Sequence, residues 1–113
     1  MSDRIKIEKA AGTWTVRAGG AILGESDGAL LLHEDGHDEV VYFPRVDIAM
    51  EFLDRSEKTT QCPLKGEAAY FSIMSESAKI DDAAWSYESP KDDVSEIAGY
   101  IAFHTEDVTV ERI

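Results

Sequence analysis

The stretch ALLLHEDGHDEVVYF, residues 29–43, decides the fold class of this 113-residue chain. Two runs rich in aliphatic and aromatic residues, Ala29–His33 and Glu39–Phe43, flank a polar corner that contains Asp35-Gly36. Asp-Gly is favoured in tight hairpin turns because both turn residues need positive φ, which glycine adopts without a steric cost. This loop is longer than two residues, so the register of the strands stays open. The stretch therefore predicts an antiparallel β-hairpin.

The segments before this hairpin alternate apolar and polar residues with the period of two that is typical of strands. Ile5 and Ile7 alternate with charged residues, and Trp14 and Val16 alternate with Thr and Arg. This spacing places the apolar side chains on one face of a pleated strand. A glycine-containing turn at residues 18–20 is then expected to lead into a further strand.

The segments after the hairpin also predict strands. Residues 67–74 and 83–87 are apolar on both faces, which is typical of strands in the centre of a sheet. Residues 100–104 and 108–113 are expected to close the chain as a second hairpin.

Helical spacing is confined to short segments. From Asp47, the apolar residues Ile48, Phe52 and Leu53 predict one short helix of about two turns, which Asp47 is placed to cap. A weaker helical turn is expected at residues 94–98. About eight short strands without βαβ alternation indicate a mainly β protein, with residues 1–113 forming a single domain.

The composition excludes several classes of partner. The chain carries 23 Asp and Glu against 11 Lys and Arg, for a formal net charge of −12. It offers no basic stripe for phosphates or anionic lipids, so neither nucleic acid nor a membrane surface is an expected partner. One cysteine, no apolar signal segment and no apolar run of membrane length predict a cytoplasmic protein without disulfides.

The only cysteine, Cys62, lies in the loop sequence QCPLKG at residues 61–66. A thiol becomes a nucleophile when a nearby cation lowers its pKa, and Lys65 is such a cation. No histidine stands beside Cys62 in the sequence to act as a general base, and a lone cysteine is commonly a small buried apolar residue. Cys62 is therefore a candidate catalytic residue only for the weaker, enzymatic alternative.

No metal or cofactor is expected. The three histidines, His33, His37 and His104, lack the paired ligand spacing of zinc sites. The carboxylates at residues 34, 35, 38 and 39 lack the ligand order of a calcium loop, and a solvated acidic hairpin tip explains them. The segment around Lys65 lacks the glycine-rich run of a phosphate-binding loop.

The aromatic residues of the predicted strands give the strongest indication of a binding site. Half are expected to fill the core and half to line a concave surface, where Tyr hydroxyls and the Trp N–H offer polar contacts. Arg45 and Lys65 are candidates to orient a ligand carboxylate or phosphate. The alternatives are that Arg45 caps the helix or pairs locally, and that Lys65 pairs with Glu67. The predicted ligand-binding residues are Tyr42, Arg45, Cys62, Lys65, Tyr70, Trp85 and Tyr87.

Four ordered motifs resemble a known family: VYFPRVD at residues 41–47, CPLKGEA at 62–68, AWSYESP at 84–90 and IAGYIAF at 97–103. Their order and separation are similar to those of domain of unknown function family 427, from about residue 21 to residue 110. The resemblance implies a β-tent fold, in which two antiparallel sheets of short strands, with one short helix, meet like the sides of a tent. The drug-binding domain of cereblon and the methionine sulfoxide reductase B domain have a similar architecture.

Proteins of this architecture commonly hold zinc through two pairs of cysteines, so the resemblance implies that this chain, with Cys62 alone, lacks the zinc. The family has carried a nucleotidyltransferase-like label but has no established activity. The leading hypothesis is a domain that binds a small polar or anionic ligand in an aromatic-lined pocket between the sheets. The alternatives are an enzyme, either nucleotidyltransferase-like or dependent on the Cys62 thiol, and a protein-interaction module that forms a homodimer through an edge strand.

Overall fold

The computed structural model describes residues 4–76 and 78–113, and most of its regular structure is β-strand. Ten strands occur among these residues in chain order: β1 Ile5–Lys9, β2 Trp14–Ala18, β3 Ala21–Ser26, β4 Leu30–Glu34, β5 Val40–Tyr42, β6 Leu53–Cys62, β7 Gly66–Met74, β8 Lys79–Ser86, β9 Ala102–Phe103 and β10 Thr109–Arg112. The mainly β prediction is therefore confirmed.

The strands pair into three antiparallel sheets, in the orders β1-β4-β5, β10-β2-β3 and β6-β7-β8-β9. Phe43 and Ile101 exchange two backbone hydrogen bonds of 2.8 Å, which place the end of β5 beside β9. The first and third sheets are thus joined at one residue pair instead of by a continuous ladder. Because no continuous ladder joins these two sheets, the described strands form three sheets, whereas the family resemblance implied two.

The central hairpin is confirmed, because β4 pairs with β5 and Leu30 lies opposite Tyr42. The predictions that residues 67–74 and 83–87 form central strands are also confirmed, since β7 and β8 each have a neighbour on both sides. The expected hairpin of residues 100–113 is wrong. β9 pairs with β8 and β10 pairs with β2, because local alternation identifies a strand without choosing its partner.

The helical segment after Pro44 consists of two single 3-10 turns, Arg45–Asp47 and Met50–Phe52, and a third 3-10 segment covers Asp92–Ile97. The Asp47 side chain does not cap a helix; its carboxylate accepts a hydrogen bond of 2.6 Å from the Ser26 hydroxyl. No helix of the described residues is long and apolar enough to cross a membrane.

Strand alternation divides the buried apolar residues into two clusters on opposite faces of β5 and the strands beside it. Phe43 belongs to the first cluster, together with Phe71, Ala84 and Phe103. Its neighbour Tyr42 belongs to the second cluster, with Leu32, Ala68, Tyr87, Val94, Ile97 and Ala102. Leu32, Tyr42 and Tyr87 of the second cluster also line the candidate site.

Candidate functional site

Six of the seven predicted ligand-binding residues line one open cleft of about 470 Å³. These six are Tyr42, Cys62, Lys65, Tyr70, Trp85 and Tyr87, and the remaining lining residues are Leu32, Glu34, His37, Asp38, Val40, Gln61, Pro63 and His104. Antiparallel pairing sets Tyr70 on β7 directly opposite Trp85 on β8. Tyr87, just beyond the end of β8 and two residues after Trp85, lines the same cleft.

The seventh residue, Arg45, lies on the other face of the sheet. Its guanidinium donates hydrogen bonds to the Gly99 carbonyl at 3.0 Å, the Ser86 hydroxyl at 3.3 Å and the Glu88 carboxylate at 3.0 Å. Ser86 follows Trp85 in β8, so its side chain points away from the cleft. Arg45 also lies over the Phe71 ring, at 5.5 Å from its centroid. Arg45 is therefore held outside the cleft by residues that are distant from it in the chain.

Glu88 binds this arginine and a second one. Its carboxylate contacts Arg45 at 3.0 Å and Arg55 at 2.7 Å. Burial raises the pKa of the Glu88 carboxyl. The hydrogen bonds and charges of the two guanidinium groups lower it by more, so the net pKa lies below its ordinary value. These ion pairs hold Arg45 and Arg55 together on the face of the sheet opposite to the cleft.

The base of the cleft consists of Tyr42 and Tyr87, which are 1% and 6% exposed. Trp85 donates its indole N–H to the Tyr42 hydroxyl at 3.3 Å, with the two rings perpendicular and their centroids 6.4 Å apart. Burial raises the pKa of both tyrosines above the ordinary value, so both phenols are neutral at physiological pH. They give the cleft a rigid aromatic base with polar groups.

His104 extends the aromatic wall, although the sequence suggested no binding role for it. Its ring stacks on Tyr70 with the centroids 6.2 Å apart and lies 4.7 Å from the Trp85 ring. The position follows from the pairing of β9 with β8, after which the His104 amide bonds to the Ala83 carbonyl at 2.8 Å. A prediction of His104 in the cleft would have required knowing that β9 pairs with β8.

A buried ion pair lies at the edge of the cleft. The Lys65 ammonium contacts the Glu34 carboxylate at 2.5 Å, and the two side chains are only 10% and 12% exposed. The expectation that Glu34 belongs to a solvated acidic tip is therefore wrong, and Lys65 does not pair with Glu67. Glu67 is instead exposed and accepts a hydrogen bond of 3.1 Å from Gln61, whereas the largely buried Lys65 ammonium is balanced by the close Glu34 carboxylate.

Cys62 lies at the end of β6, where a tight loop returns the chain to β7. Gly66 pairs with Cys62 and has φ of 113°, a conformation that favours glycine. Burial raises the pKa of the Cys62 thiol. The N–H groups of Leu64 and Lys65 and the Lys65 ammonium lower it by a larger amount. The net effect is a pKa below the ordinary value, so the loop favours the thiolate.

A second cleft of about 270 Å³ adjoins the first and shares Asp38, Val40, Trp85 and His104 with it. Among residues 4–76 and 78–113, no group of three or more His, Cys, Asp or Glu side chains is arranged to hold a metal ion. The chemistry available here is aromatic contact, hydrogen bonding, one thiol and several carboxylates.

Comparison with known proteins identifies a family whose description states no function. No curated protein matches the chain. The model of one family, described as "Domain of unknown function (DUF427)", matches residues 6–113 and so covers nearly the whole chain. The match includes every residue that lines the two clefts and all of the described strands except Ile5, the first residue of β1. The chain therefore belongs to the DUF427 family.

Proposed function

We propose that this protein binds a small polar organic molecule in the cleft lined by Tyr42, Tyr70, Trp85 and Lys65. One observation carries the proposal: aromatic rings, a buried ion pair and a thiol converge from separate strands on one cleft of about 470 Å³. Binding pockets for small molecules typically have volumes of roughly 300–1,000 Å³, with apolar and aromatic walls and a few fixed polar groups. The cleft has this character.

The contacts of the two cations favour a polar ligand over an anionic one. Lys65 already contacts Glu34 at 2.5 Å, and Arg45 lies on the opposite face of the sheet. A ligand carboxylate or phosphate would have to displace Glu34 and leave that carboxylate buried without its partner, which is costly.

The test is a thermal-shift screen with compounds of every charge, followed by titration of the Trp85 fluorescence. The chain has two tryptophans, and Trp14 borders only the second cleft, so the Trp14→Phe variant makes Trp85 the single reporter. A true ligand at a hundredfold excess over its Kd should stabilise the fold by about 2.7 kcal/mol, which is several degrees in Tm.

Two variants separate cleft binding from general effects on stability. Tyr70→Phe removes the hydroxyl of a ring that lines the cleft, a hydroxyl that is hydrogen-bonded to Thr60 at 3.1 Å, and should weaken binding of a screening hit. Arg45→Lys changes the opposite face and should leave the Kd unchanged. If no compound of any charge raises Tm or changes the Trp85 emission, the proposal is wrong.

A thiol-dependent enzyme is the second candidate function. The observation that favours it is the position of Cys62 in the same cleft, with a lowered pKa and the Lys65 ammonium beside it. A hit that disappears over time in the presence of the protein, but not in the presence of the Cys62→Ser variant, would establish turnover. Stable binding with no loss of the hit would leave the binding function alone.

A further inference from the structure

We propose that the ligand of this cleft is a cation, namely a small organic ammonium or guanidinium compound. The inference rests on the proposed function and names the chemical class of the ligand. Its basis is the distribution of charge around the aromatic wall, together with a cation of the chain itself, Lys58, that lies over the Tyr70 ring.

The charges that line the two adjoining clefts are mostly negative. Four carboxylates line them, Glu34, Asp38, Glu39 and Glu106, whereas Lys65 is the only Lys or Arg among the lining residues. The Lys65 charge is neutralised by Glu34 at 2.5 Å. Glu39 lies 3.3 Å from a ring nitrogen of His33. The shared wall of Trp85 and His104 therefore faces an excess of negative charge, which repels anions and attracts cations.

The aromatic wall itself supports the same conclusion. The Lys58 ammonium lies 4.6 Å from the centroid of the Tyr70 ring, so the electron-rich face of this ring already attracts a cation. Lys58 is solvent-exposed and comes from the irregular part of β6, between Arg55 and Thr59. Lys58 lines neither cleft, so its contact supports the attraction of the Tyr70 ring for cations without filling the site itself.

The kind of cation follows from the mixture of groups. Ring faces attract weakly hydrated cations most strongly, such as quaternary ammonium and guanidinium groups, because these lose little hydration on contact. Tyr70 and Trp85 are both partly exposed, and Asp38 is exposed at the junction of the two clefts. A ligand cation can therefore contact the rings while Asp38 balances its charge.

The experiment compares three probes of nearly the same shape: choline, its neutral carbon analogue 3,3-dimethylbutan-1-ol, and the anion 3,3-dimethylbutanoate. Binding is followed by Trp85 fluorescence in the Trp14→Phe protein and by calorimetry. We expect choline to bind on the order of tenfold more tightly than the alcohol, the anion to bind most weakly, and added NaCl to weaken only choline.

Two variants test the assigned contacts. Asp38→Asn should weaken choline several-fold and leave the alcohol unchanged, whereas the matched Asp54→Asn change, outside both clefts, should leave both probes unchanged. Equal losses from Asp38→Asn and Asp54→Asn would mean that only the overall charge attracts choline, which would overturn the assigned site.

The outcomes separate this inference from the function on which it rests. If the alcohol or the anion binds at least as tightly as choline, the cleft binds ligands but the cation assignment is wrong. If choline does not bind while the screen yields neutral or anionic hits, the assignment is also wrong and the binding function stands. If no probe and no library compound binds, both proposals fail.

Discussion

Replacing Lys65 with Met should destabilise the fold far more than removing both members of its ion pair. The Lys65 ammonium and the Glu34 carboxylate lie 2.5 Å apart with side chains 10% and 12% exposed. Loss of the lysine leaves a largely buried carboxylate whose other polar neighbour, the His37 ring, is 3.6 Å away and exposed. Breaking a buried pair in this way typically costs about 3–5 kcal/mol.

This cost corresponds to a large change in Tm. An unfolding entropy of about 2.1 cal/mol/K per residue gives roughly 0.24 kcal/mol/K for a chain of this length, so a loss near 3 kcal/mol lowers Tm by roughly 12 °C. The lower end of the range is appropriate because the pair borders an open cleft. The double variant Lys65→Met/Glu34→Gln has no unpaired charge and should lie within about 1 kcal/mol of wild type.

The assay is a double-mutant cycle measured by urea unfolding, with single and double variants of both residues. The exposed pair Arg17–Glu111, at 2.7 Å with side chains 46% and 48% exposed, is the matched control and should couple by less than about 1 kcal/mol. A coupling energy for Lys65 and Glu34 no larger than that of the control would refute the reasoning. The Lys65 ammonium would then be held weakly enough by Glu34 to be available to bind a ligand.

Three further predictions follow from single residues. Iodoacetamide should alkylate Cys62 with a pH midpoint below that of a free peptide thiol, because the loop amides and the nearby ammonium lower its pKa by more than burial raises it; a midpoint at or above the peptide value contradicts this. Gly24→Ala would place a Cβ 2.6 Å from the Asp47 carbonyl and should cost roughly 1–3 kcal/mol, whereas Gly20→Ala meets open space and should be nearly neutral; equal urea midpoints would refute the clash. The pKa of Glu88 is lowered in the fold, so its carboxylate stabilises above the unfolded pKa and this stability is lost as pH falls through the folded pKa. The Tm difference between wild type and Glu88→Gln should therefore shrink from neutral to strongly acid pH, and a constant difference would contradict the assignment.

Sequence patterns were sufficient to predict those parts of the cleft that depend on strand alternation. Trp85 and Tyr87 are two residues apart in one apolar segment, so a common face follows directly. Arg45 was expected beside the cleft, but it contacts Ser86, whose side chain points to the opposite face of β8, and strand alternation alone does not show which face a residue from another segment reaches. Strand β6 was not predicted because its ten residues, LDRSEKTTQC, show almost no apolar alternation. Among the described strands it pairs with β7 alone and so is an edge strand, a position where polar residues on both faces are common.

Contacts between residues far apart in the chain could not be predicted. Glu34 and Lys65 are separated by 31 residues, and their pairing depends on how the tip of the β4–β5 hairpin meets the β6–β7 loop. The position of His104 likewise depends on β9 choosing β8 over β10. The alternation of apolar residues predicts which face of a strand is buried, whereas the neighbour with which the strand pairs depends on the whole sheet.

The same residues stabilise the fold and line the cleft, and this overlap determines which variants are informative about function. Tyr42 is 1% exposed and accepts the hydrogen bond of Trp85, and Lys65 holds the buried carboxylate of Glu34. A loss of binding in a variant of either residue would therefore not distinguish a lost contact from a damaged fold. Asp38 lines both clefts from an exposed loop position, so its replacement changes the charge that a ligand meets without removing a core contact. Because an exposed substitution of this kind rarely changes stability by more than about 0.5 kcal/mol, a change in ligand affinity in Asp38→Asn reports on the cleft itself.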